Sequence, residues 1–236
     1  MKKDYANYLL NKTLEDYNLI AYDFSSKRAY ISQDILDLQK FSSKGNRILD
    51  LGCGNGRLSE IFENSGIEYI GVDISEKLIK IARSKYPNKS FQVVEFFKLL
   101  FPDNYFDKVY CLSVLHHIPS LEYRKKFLLE AKRVLKPHGL IILTVWNLLI
   151  KPSIISSIVS NSLAKLFHKS QLDYKDIFLP FKRSSDINLT DRYIHCFSRR
   201  ELTKLLRKCN FNVLESGYQK RGQKVKNENI YTIAKK

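Results

Sequence analysis

The sequence predicts an α/β fold built on a mostly parallel sheet, and three observations predict it. From Arg47 onward, short apolar runs alternate with stretches of helical periodicity, the pattern of strand–helix–strand crossovers. The stretch Arg47 to Gly56, RILDLGCGNG, ends an apolar run on an acid and then sets glycine at 52, 54 and 56. Such spacing marks a strand-to-helix loop whose main chain can come close to a guest. The last two apolar runs, FNVLESGY and NIYTIAKK, flank the lysine-rich stretch QKRGQKVKNE, so the sheet closes on an antiparallel hairpin.

The elements follow in order. Strands are expected at 47–51, 68–73, 91–94, 106–112 and 139–146, with the two closing runs bringing the total to seven. Leu78, Ile79, Ala82 and Tyr86 share a helical face, as do Phe127, Leu128, Ala131, Val134 and Leu135, and each set packs on the sheet. Two polar-rich helical segments, 4–21 and 31–40, precede the core as a cap over the binding face. After the fifth strand, Ile154, Ile155, Ile158, Val159, Leu163, Leu166 and Phe167 recur at helical spacing behind Pro152. The basic residues around this helix allow a membrane-surface reading, but its Ser and Asn content favours a lid packed on the domain. A basic, polar loop is expected from there to Asp191, then a helix through Leu202, Leu205, Leu206 and Cys209. The reading is one domain: a helical cap (1–45), a core (46–147), an insertion or lid (148–196), and the last helix with the closing strands (197–236).

Composition narrows the function. With 236 residues, 44% hydrophobic and 27% charged, the chain can bury one sizeable core. Lys and Arg outnumber Asp and Glu by 40 to 24, a net charge of +16 that suits a polyanionic partner or belongs to a generally basic proteome. Four cysteines without C-x-x-C spacing indicate neither a zinc site nor a disulfide framework, which points to a reducing cytoplasm. No run reaches a membrane span of roughly 18 apolar residues, and no signal peptide is expected.

The glycine loop selects a nucleotide but not a dinucleotide. A dinucleotide fingerprint needs a third glycine where Arg57 stands. Asp50 ends the first strand, and Asp73 ends the second, where a carboxylate can grip a ribose diol with two hydrogen bonds. DLGCGNG together with GVD resembles the class I S-adenosylmethionine-dependent methyltransferases, over Arg47 to Trp146, and implies a Rossmann-like seven-stranded sheet with S-adenosylmethionine as cofactor. The resemblance places Asp50 and Gly52 at the methionine end, lets Gly54 and Gly56 pass the backbone, gives Asp73 the ribose and sets Ile74 against the adenine. Glu95 and Phe96 stand in the Gly-Asp-Ala position that receives the adenine amine, and His138 replaces the first glycine of a Pro-Gly-Gly turn.

The flanks, YNLIAYDFSSKRAYISQDILDL, VWN and DRYIHCFSRRELTKLLRKCNF, resemble the tRNA wobble-uridine methyltransferases that convert 5-carboxymethyluridine to its methyl ester. Ser25 to Arg28 match the family's entry element, with Lys27 at the usual threonine, and Asp191 to Phe197 match the element before the last helix. The resemblance implies tRNA as partner, and eukaryotic members also work with a small zinc-binding activator protein. Methylating a carboxylate needs no general base, because the group is ionised at neutral pH. What it needs is alignment and a partner for its charge. Arg28, His116, Arg192 and His195 are the candidate catalytic residues, with Tyr193 as a wall. Arg28 and Arg192 could equally pair with acids on the cap, and one of His116 and His117 could be a packing residue, as neighbours on a strand face opposite ways. They are not read as a metal pair. Lys165, His168, Lys169, Lys182, Arg183, Lys220, Arg221, Lys224 and Lys226 would hold RNA electrostatically. Two other functions fit the sequence: methylation of a small quinone or lipid precursor, and a catalytically silent fold that binds RNA.

Overall fold

The computed structural model describes residues 1–28, 30–183, 187–220 and 227–236. Seven strands form the main sheet: β1 (Arg47–Leu51), β2 (Glu68–Asp73), β3 (Ser90–Val93), β4 (Phe106–Leu112), β5 (Leu135–Trp146), β8 (Asn212–Lys220) and β9 (Asn227–Lys235). Their order is β3-β2-β1-β4-β5-β9-β8. All pairs are parallel except those made by β9 with β5 and with β8, as the closing hairpin predicts. The chain order reverses between β1 and β4, and the carboxyl ends of strands at such a switch point leave a crevice for a ligand.

The alternation of side chains along the strands divides the core in two. Leu49, Leu51, Ile70, Val72, Val109, Cys111, Ile141 and Leu143 face α4 (Leu121–Val134) and α6 (Arg199–Lys208). Ile48, Tyr69, Tyr110 and Ile142 face the other way, onto Ile79 and Ala82 of α3 (Glu76–Lys85) and onto Ile35 of the short helix α2 (Gln33–Leu36). Three serines fix where helices begin: Ser75, Ser120 and Ser198 accept from the backbone N–H of Leu78, Tyr123 and Glu201.

The first helix of the cap, α1 (Lys3–Ser26), runs five residues further at its end than the periodicity predicts, and the second expected segment is α2 continued by a 3₁₀ turn, Asp37–Phe41. Asn18 of α1 accepts from the Ser75 hydroxyl at 2.8 Å, and Asp23 pairs with Arg183 at 3.0 Å. These contacts tie the cap to the core and to the insertion.

The insertion differs from the expected helix and loop. Helix α5 (Pro152–Leu166) is present, but β6 (Asp176–Lys182) and β7 (Asn188–His195) follow it as a separate antiparallel pair. The stretch DIFLPFK hid its strand behind Pro180, and a proline is tolerated where a strand lacks a second partner. Nor does α5 bury the whole apolar face expected of a lid: Ile154 is buried and Ile158 partly so, while Ile155, Val159, Leu163, Leu166 and Phe167 face outward. Arg221, Lys224, Lys226 and the Lys220 side chain, expected to hold RNA, lie outside the described residues.

Candidate active site

A cavity of about 800 Å³ opens over the carboxyl ends of β1, β2, β4 and β5. Its floor is the glycine loop. The Gly52 and Cys53 N–H groups both donate to the Val72 carbonyl, at 2.8 and 2.9 Å, which bends the chain sharply after β1. Gly52 has φ +83°, and a Cβ there would meet a Val114 methyl at 2.3 Å, so glycine is required on both counts. Gly54 lines the cavity under the Phe24 ring. Gly56 does not line it; its missing side chain makes room for Phe91 and Ala82, a packing role in place of the expected ligand passage.

Two acids stand beside the loop. Asp50 is buried, accepts from the Tyr69 hydroxyl at 2.6 Å, and is pushed up to about 7 by burial, with Asp73 adding to the rise and Tyr69 and Arg57 opposing it. Asp73 is also raised by burial, and the Ser75 and Gly54 N–H groups oppose that rise, each donating to a different oxygen at 2.8 and 2.9 Å. Each Asp73 oxygen thus keeps a lone pair for a ligand hydroxyl. Ile74, Glu95 and Phe96 line the same end. A nucleoside whose ribose meets Asp73, and whose cationic tail meets Asp50, fits this donor set; S-adenosylmethionine has both features and carries a methyl group on a sulfonium.

The far end is built by other elements. Arg28 follows α1 and stacks its guanidinium on Phe24, 3.9 Å from the ring centroid. Tyr17, Phe24 and Arg28 fall on one face of the helical repeat, and all three line the cavity. Tyr17 was missed from the sequence, although its spacing from Phe24 and Arg28 held the signal. Arg192, on β7, is 6% exposed, with its guanidinium carbon 5.2 Å from the Trp146 ring and 5.0 Å from the Phe181 ring. Its Nε and Nη1 are buried without a hydrogen-bond partner among the described residues.

The two histidines sit on a 3₁₀ turn, Leu115–His117, after β4, so the alternation expected of a strand does not apply. His117 lines the cavity and His116 lies beside it, rings 4.3 Å apart, away from the lining and with neither nitrogen partnered among the described residues. His116 packs on Trp146 at 4.6 Å, and burial holds it well below the ordinary histidine range. His117 Nδ1 lies 3.0 Å from the Tyr193 carbonyl, which can only accept, so Nδ1 carries the proton and Nε2 accepts from the Tyr17 hydroxyl at 2.8 Å. Burial first, then Arg192, lower His117 to about 3, against the opposing Tyr193 carbonyl.

His195 is outside the cavity. Its Nδ1 faces Asp176 at 2.7 Å and its Nε2 faces Glu201 at 2.9 Å, which clasps the β6–β7 pair to α6. Burial alone would raise Glu201, yet His195 and Lys175 hold it down to about 2. Tyr193 is likewise buried, against Leu9 and Leu172, and forms no cavity wall. The structure therefore brings Arg28, Arg192 and His117 together and leaves His116 and His195 behind them.

Fold and site define a class. Residues 49–143 match the family model described as the methyltransferase domain. A tRNA (carboxymethyluridine(34)-5-O)-methyltransferase of Arabidopsis thaliana is 35% identical over 130 residues, 55% of this chain and 31% of that protein. A ubiquinone biosynthesis O-methyltransferase of Xanthomonas oryzae pv. oryzae is 28% identical over 190 residues, 76% of this chain and 73% of that protein. The chain thus spans less than a third of the plant relative. Among solved structures, an S-adenosylmethionine-dependent methyltransferase from Methanosarcina mazei shares the fold with a TM-score of 0.70, at 21% identity, covering 85% of this chain and 96% of that one. No helix among the described residues is long and apolar enough to cross a membrane.

Proposed function

We propose that the enzyme methylates a carboxylate, that of 5-carboxymethyluridine at the wobble position of tRNA, to give the methyl ester. The observation that carries this reading is Arg192. A buried guanidinium beside two aromatic rings, on a residue that lines the cavity and with two nitrogens that have no acceptor among the described residues, suits a planar anion.

The chemistry agrees. A carboxylate attacks a sulfonium methyl without giving up a proton, so the chain has to bind, orient and exclude water. Arg192 would set the plane of the carboxylate while Arg28, stacked on Phe24, adds a second charge at the same end. A phenolic acceptor would instead need a base. His117, kept neutral by burial and already accepting from Tyr17, is a weak one. The partial likeness to the plant tRNA enzyme supports the nucleotide acceptor, and the net charge of +16 suits a polyanion. An activator protein, implied by the same resemblance, remains part of this proposal.

The test is nucleoside mass analysis of tRNA carrying 5-carboxymethyluridine after incubation with the protein and S-adenosylmethionine. The expected product is heavier by one methylene and loses it in mild alkali, as an ester does. No product on that tRNA, with product on a quinone precursor, would overturn the tRNA reading.

A further inference from the structure

Helix α5 turns a continuous aliphatic stripe to solvent. Ile155, Val159, Leu163 and Leu166 recur at intervals of four, four and three, with Phe167 beside them, and the five are 46–68% exposed. Single exposed apolar residues are ordinary, but an aligned stripe on one helix marks a surface that meets something apolar. The opposite, inward face packs Ile154 and Ile158 on Ile177 and Ile194, so the helix is already anchored and the stripe is not spare core.

The surroundings of the stripe select the occupant. From Ile150 to Leu172 the chain carries Lys151, Lys165, His168 and Lys169 and no acid. Lys165 is engaged by Asp173 at 3.2 Å, while Lys151 and Lys169 are exposed at the two ends of the helix. The occupant is therefore apolar and anionic together. Nucleic acid matches cations and aromatic faces, and four of the five side chains here are aliphatic. A second copy would bring two chains of charge +16 together.

We propose that the outward face of α5 docks on an anionic lipid bilayer. The helix has 15 residues, a length of about 22 Å. That is short of the roughly 30 Å hydrocarbon core, so it lies in the interface plane, with its aliphatic side chains at the acyl boundary and its terminal lysines among headgroups. Ile150 and Lys151, just before the helix, line the cavity, so docking brings the site close to the interface. The proposal does not depend on the acceptor's identity.

The test is co-sedimentation of the whole chain with vesicles of phosphatidylcholine alone and of phosphatidylcholine with phosphatidylglycerol. Binding to the anionic vesicles is expected, weaker in high salt, and reduced on the order of tenfold or more in the triple variant Val159→Gln, Leu163→Gln, Leu166→Gln. These exposed positions are outside the cavity, so the variant should keep the parent circular dichroism and cofactor affinity. Failure to bind anionic vesicles at low salt would overturn the proposal, as would equal binding by the variant. A dimer in light scattering that the variant abolishes would assign the stripe to a second copy and overturn it too. So would a loss of tRNA retention confined to the variant, which would assign the stripe to RNA.

Discussion

Arg192→Met separates a functional guanidinium from a structural one, because the two roles predict opposite changes in stability. Two Arg192 nitrogens are buried without acceptors among the described residues, and each such group costs about 1–3 kcal/mol. The rings of Trp146 and Phe181 return part of that cost, about 0.5–2 kcal/mol for each cation–ring contact. Methionine keeps an unbranched apolar stem in the same slot. The variant should therefore match the parent or exceed it by up to about 2 kcal/mol, each kcal/mol raising Tm by about 2–4 °C in a chain of this size. Turnover moves the other way. Two charge-assisted hydrogen bonds to the acceptor, at about 1.5–3 kcal/mol each, correspond to a loss of about 10²–10⁴ in kcat/KM. The assays are a calorimetric Tm, a cofactor titration expected to stay within about twofold of the parent, and methyl transfer to carboxymethyluridine tRNA. A Tm lower by more than about 5 °C would mean that Arg192 holds the fold together. An unchanged kcat/KM would mean that it does not meet the acceptor.

Three further outcomes test the rest of the site. Asp73→Asn should weaken S-adenosylmethionine by about tenfold to a thousandfold through the loss of charge at the ribose, and normal affinity would remove Asp73 from the site. Asp50, pushed up to about 7, keeps a proton that the unfolded chain releases near pH 4, so its contribution to stability falls as pH rises from about 4 to about 7. A cationic ligand tail favours its carboxylate, so cofactor binding near pH 6.5 should release a proton and tighten toward about pH 8; binding heats that do not depend on the buffer would count against Asp50. His195→Ala should lower Tm and leave kcat/KM largely intact, since it strips Asp176 and Glu201 of a shared partner at a cost of about 3–5 kcal/mol. A parent-like Tm with lost turnover would return His195 to the active site.

The glycine-loop end of the cavity was legible because it is local. Asp50, Gly52 and Gly54 are neighbours in the chain, and Asp73 follows at the end of the next strand, so a strand–loop–strand pattern fixes them all. The other end was less so. Arg192 and His195 lie three residues apart in one motif, and on an extended strand they point to opposite sides, one into the cavity and one onto Asp176 and Glu201. Reading the two as a unit erred for that reason. His116 and His117 were read by the rule for strands, but a 3₁₀ turn governs them.

By itself the sequence determined the parallel sheet, its antiparallel close and the glycine loop after the first strand. Those follow from hydrophobic period and from backbone geometry that only glycine or a strand-end acid can supply, and both are written in consecutive residues. Only the tertiary structure decided which charges are partnered. The cap helix brings Tyr17 within 2.8 Å of His117, a hundred residues away, and the β6–β7 pair carries Arg192 over Trp146. Burial, which raises Asp50 and lowers His117, depends on what packs above a residue, and no local pattern records that. The same holds for α5, whose apolar positions read as core in one dimension and divide between an anchored face and an open one in three.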